Sequence, residues 1–132
     1  MINSAGSCHL QANTIKQELD KGSIVAHLPI PLLSEIYYIT LRVYSQLKKD
    51  LHLAKKLIDW LITHDNVIIY PLNMNLILRA GEIKHSFSIS IMDSFNFALA
   101  QLMGKKLIFK SNEREFSDDL LKQFDIIFLD QI

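Results

Sequence analysis

With 132 residues and a formal net charge of zero, from 14 basic and 14 acidic side chains, the chain has the length of one domain, expected over 1–132, and is no broadly basic nucleic-acid coat. Hydrophobic residues make up 49% and charged residues 21%, which is enough to bury a core and too apolar for a disordered segment. Cys8 is the single cysteine, so an intramolecular disulfide and a cysteine metal cluster are excluded. There is no secretory leader pattern and no apolar run of bilayer length, so the expectation is a cytoplasmic protein in a reducing interior, with no membrane partner.

In chain order, residues 13–20 read as a short helix stopped by Lys21-Gly22. Residues 23–28 read as a strand ended by Pro29. Pro31 then opens a long helix with the inner stripe Leu32, Ile36, Ile39, Val43 and Leu47. A second helix covers 51–62, with Leu53, Leu57, Trp60 and Leu61 inside, and His64-Asp65-Asn66 makes a turn into a strand at 67–70. Residues 73–84 are helical, carrying Leu76, Ile77, Ala80 and Ile83. The next helix, 90–103, starts on Ser90 with Asp93 three residues on, a helix-start signal of the capping-box kind, and places Phe97, Leu99, Ala100 and Met103 in the core. A strand at 106–109, a short helix at 117–123 and a strand at 125–129 complete the chain. Strands alternating with helices imply an α/β fold whose parallel sheet is covered on both faces, with sites at the carboxyl ends of the strands. Four glycines with no GxG pair exclude a P-loop or dinucleotide site.

The acids are the candidate chemistry. Asp93 stands in the first turn of its helix, where a carboxylate also suits the helix dipole. Glu35 follows Ser34 near the end of a strand and lies beside the buried stripe, where an acid costs desolvation unless a cation meets it. Glu113 and Glu115 follow another strand, and each alone reads as a surface acid; Asp118 and Asp119 read as first-turn acids capped by Ser117. Converging carboxylates bind a divalent metal or do acid–base work. The five histidines, His9, His27, His52, His64 and His85, show no metal-ligand spacing. Tyr37, Tyr38 and Tyr44 on the long helix read as half-buried packing residues, with an RNA platform or a dimer face as the alternatives.

Taken together, these segments resemble a PIN domain, most closely the short VapC-type toxin ribonucleases of prokaryotic, and more narrowly archaeal, toxin–antitoxin systems. Leu33-Ser-Glu35-Ile looks like the family's acid after its second strand. Ala80-Gly-Glu-Ile-Lys84 followed by Ser88-Ile-Ser90-Ile-Met-Asp93-Ser looks like the block that carries its central metal ligand. Ser111-Asn-Glu113-Arg-Glu115-Phe116 resembles its T-x-D-x-E-F turn, with Glu113, or Asn112 on a one-residue slip, in the place of Asp. The resemblance implies a three-layer α/β/α fold around a central parallel sheet of about four to five strands. It implies a ribonuclease in which Asp93, Glu35 and Glu113, with Asn3, hold Mg²⁺ or Mn²⁺. Ser111 would orient the water or phosphate, and Lys84, Lys110 and Arg114 would hold RNA. Products with a 3′-hydroxyl and a 5′-phosphate, a cognate antitoxin and a homodimer are further implications. Two departures stand out. Asn3-Ser4 falls where the family has Asp followed by Thr or Ser, which removes a charge, and the segment between Gly6 and Ala12 is short, as in a truncated or divergent start. The alternative reading is therefore a catalytically impaired remnant that dimerises or binds an antitoxin.

Overall fold

The structure, a computed structural model, describes residues 9–131. It forms two compact units, Met1–Tyr70 and Pro71–Ile132. Among the described residues there are six α-helices and four strands, all paired in parallel. This is the α/β class expected. Among the described residues the strands form two parallel pairs, one in each unit, a modest sheet content consistent with the expected fold. The strand that the resemblance puts in the middle of the sheet would fall within residues 1–8, outside the described residues together with Asn3 and Cys8.

The first unit contains α1 (His9–Lys21), β1 (Ala26–Pro29), α2 (Ile30–Gln46), α3 (His52–Thr63) and β2 (Val67–Tyr70). β1 pairs with β2 from Ala26 opposite Val67 to Pro29 opposite Tyr70. The expected strand start at Ser23 moves to Ala26 because β2 is only four residues long; among the described residues Ile24 and Val25 have no partner strand, and they are exposed. Pro29 is the last paired residue and also the N-cap of α2, so strand passes directly into helix, with a proline in the first turn. Leu32, Ile36, Ile39 and Val43 are half-buried as a stripe, whereas Leu47 is exposed because α2 ends at Gln46. Thr40 is the fully buried residue of α2, its hydroxyl donating to the Ile36 carbonyl at 2.7 Å. Beyond the helix end Lys48 adopts φ 56°, a left-handed conformation that costs a lysine about 1–2 kcal/mol.

Polar contacts seat α1 on the turn before β2. Asn66 Nδ2 donates to the Leu19 carbonyl at 2.8 Å. The Asn66 backbone N–H donates to His64 Nδ1 at 3.0 Å, which leaves His64 Nε2 to carry the proton towards Asp20 Oδ1, also 3.0 Å away. The His64 hydrogen bond, and then that from Lys16, hold the Asp20 carboxyl below its ordinary value. This histidine is a structural group.

The second unit contains α4 (Met74–Ser86), α5 (Ile91–Met103), β3 (Leu107–Phe109), α6 (Asp118–Lys122), β4 (Ile126–Phe128) and a 3₁₀ turn, Leu129–Gln131. Each of its α-helices has a side-chain cap, Ser90 and Ser117 as the sequence indicates and Asn73 in addition. Asn73 accepts from the Leu76 N–H, Ser90 from that of Asp93, and Ser117 from that of Leu120. Gly104 ends α5 with φ 63°. Leu76, Ala80 and Ile83 of α4 are buried in the packing against α5. Two residues expected inside, Ile77 and Met103, are exposed instead; short helices bury one face, and these stand off it. The core centres on Phe97, whose ring lies 5.5 Å from Phe109, 5.5 Å from Phe116 and 4.7 Å from Phe124.

Gly81 sits inside α4 with open space where a Cβ would stand. Gly81→Ala is expected to raise stability by roughly 0.5–1 kcal/mol in urea unfolding, because alanine loses less backbone entropy in a helix. A loss of stability would mean that this face has a neighbour.

Candidate metal centre

Helix periodicity and one aromatic contact build the site. Asp93 and Phe97 are four residues apart on α5 and share a face. After β3 the chain turns through Ser111-Asn-Glu113-Arg-Glu115, and the Phe116 N–H donates to the Glu113 carbonyl at 3.0 Å, closing the turn. Phe116 is buried edge-on against Phe97 and 5.0 Å from Phe109. Docking Phe116 on Phe97 therefore draws the acidic turn towards the start of α5. The Asp130 N–H, donating to the Lys110 carbonyl at 3.0 Å, ties down the strand end from which the turn departs.

As a result, carboxylate oxygens of Asp93, Glu113 and Glu115 all lie within 4.8 Å of one another. Asp93 is half-buried, while both glutamates are exposed. Burial raises the Asp93 carboxyl above its ordinary value, and the charge of Glu115 adds to that; a hydrogen bond with the Ser90 side chain opposes both. Three like charges converging on a partly desolvated acid are stabilised by a cation. The donors are hard oxygens with no thiol or imidazole among them, a donor set that suits a hard divalent cation.

Of the expected ligands, Asp93 and Glu113 are brought together. Glu35 is half-buried in the second turn of α2 and belongs to the first unit. Asn3 lies outside the described residues. Glu115, read from sequence as a surface acid, joins the cluster. Its signal was its spacing, since two glutamates flanking one residue in a turn anchored by Phe116 reach the same side. Asn112 is exposed. Ser111 is half-buried at the start of the turn, and Lys110 and Arg114 are exposed on either side of it. Lys84 is committed locally: its Nζ donates to the Ile89 carbonyl at 2.8 Å, next to the Ser90 cap. Among the described residues no helix is long and apolar enough to cross a membrane.

No curated protein matches the chain. The profile of the PIN domain matches residues 9–118, spanning every element from α1 to the acidic turn. The fold is a nuclease-type fold whose members usually depend on a divalent metal, and the carboxylate cluster is consistent with that chemistry. With most of its length matched, the chain belongs to the PIN domain family.

Proposed function

We propose that the protein is a metal-dependent ribonuclease of the VapC toxin type, acting on RNA as a single domain and as a homodimer in the cytoplasm, with a cognate antitoxin. The observation that carries this reading is the convergence of Asp93, Glu113 and Glu115 within 4.8 Å in a chain of this family. These three residues would hold Mg²⁺ or Mn²⁺. When bound, the ion supplies Lewis-acid activation of water and of the scissile phosphate. Ser111 offers a hydroxyl to orient the water or the phosphate. Lys110 and Arg114 neutralise the RNA backbone around the acids, and Lys84 adds a positive charge beside the α5 start.

Removal of metal tests the reading. RNA incubated with the protein in Mn²⁺ is expected to be cut to fragments with 5′-phosphate ends. Cutting should stop in excess chelator and return when Mn²⁺ is restored. Cleavage that persists in chelator sinks the metal mechanism. Calorimetry showing no Mn²⁺ uptake at millimolar metal supports instead the impaired remnant, the reading favoured by the missing charge at Asn3.

A further inference from the structure

On α2, Glu35, Tyr38 and Arg42 occur at i, i+3 and i+7, which places them on one face over about 10 Å of helix. Tyr38 was expected to pack, yet it is 60% exposed, and the Arg42 guanidinium sits over its ring at 6.0 Å from the centroid. A second such pair follows at the helix end, where Lys49 Nζ lies 5.3 Å from the Tyr44 ring centroid. The intervening Lys48 holds the left-handed conformation that glycine adopts with less strain, so the turn keeps a cation at a strained position.

Charge is also concentrated here. From Tyr38 to Lys56 the chain carries Arg42, Lys48, Lys49, Lys55 and Lys56 against the single acid Asp50, and all five cations are exposed, in a protein whose net charge is zero. An exposed ring with a cation over it, inside a basic segment, matches the chemistry of a single-stranded polynucleotide. Bases stack on aromatic faces, and phosphates pair with lysine and arginine.

We propose that this face of α2 is a single-stranded RNA track that runs from Glu35, with Tyr38 stacking on an unpaired base and Arg42 holding the adjoining backbone. The track deepens the ribonuclease reading and rests on it. It takes RNA as an unpaired strand, since a base inside a duplex has no free face for Tyr38.

Fluorescence anisotropy with a labelled single-stranded RNA in chelator, where cutting is suppressed, tests the track. Tyr38→Ala is expected to weaken binding roughly 5- to 100-fold, as loss of one stacked base does, while Tyr38→Phe stays within about twofold. Arg42→Ala should lower the salt dependence of log K by about 0.7, the loss of one phosphate contact on a single strand. Wild-type affinity in Tyr38→Ala, with an unchanged circular dichroism spectrum, overturns the proposal. So does a Tyr38→Ala protein whose mass by light scattering falls while its RNA affinity holds, since the face is then a contact between copies. Mn²⁺ calorimetry on the wild-type protein is the separate readout for the metal centre: its failure removes the ribonuclease reading, whereas failure of the anisotropy series removes only the track.

Discussion

An Asp93→Asn protein is expected to lose metal-dependent RNA cleavage by at least about 10³-fold and to lose the thermal stabilisation that Mn²⁺ gives the wild type. A ligand to a catalytic ion supports several kcal/mol of transition-state charge, and each 1.36 kcal/mol is tenfold in rate. The substitution leaves the local structure in place, because it is the Asp93 backbone N–H that donates to Ser90 Oγ. Without metal the variant should be at least as stable as the wild type. The folded carboxyl titrates above its ordinary value, so as pH rises from the ordinary value through the raised one, the folded state keeps a proton that the unfolded chain has lost. Stability falls across that window, and above it the wild type carries the cost in full while asparagine does not. With Mn²⁺ at a hundred times its dissociation constant the wild type gains about 2.7 kcal/mol, roughly 10 °C in Tm for a chain of this length, and the variant gains none. Scanning calorimetry in chelator and in Mn²⁺ checks both halves. Full cleavage by the variant, or an undiminished Mn²⁺ shift, removes Asp93 from the centre.

Phe97→Ala should be the most damaging single change in the second unit, costing about 3–5 kcal/mol out of a total of order 5–15. Phe97 is fully buried and touches Phe109, Phe116 and Phe124. Removing the ring leaves a cavity and takes away the surface that seats Phe116. The acidic turn is then expected to loosen, so Mn²⁺ affinity should drop in any protein that remains folded. Phe97→Leu keeps most of the volume and serves as the milder variant. Urea unfolding reads the stability, and calorimetry reads the metal. A cost below about 1 kcal/mol, or unchanged Mn²⁺ binding in Phe97→Ala, would show that the turn holds its shape without the aromatic cluster.

Much of the local structure was legible in the residues. Ser90 and Ser117 announce their helices because a side-chain oxygen satisfies an otherwise orphaned N–H within three residues. The strand 67–70 and the helix after Ser90 follow from run length and period alone. Strand ends were less legible: β1 starts at Ala26 rather than Ser23 because its length is set by a partner 41 residues away in Val67, not by its own apolar run. Exposure of Leu47, Ile77, Met103 and Tyr38 was also hidden, since periodicity tells which residues share a face but not how wide the covered part of that face is.

The candidate site divides in the same way. Sequence by itself determined the family resemblance, the helix that carries Asp93, and the turn that carries Glu113, because caps, periods and short motifs are local properties of the chain. Only the tertiary structure decided that Glu115 joins them. Its membership depends on a long-range contact, Phe116 against Phe97, which closes the turn onto a helix start and brings Glu115 there together with Glu113.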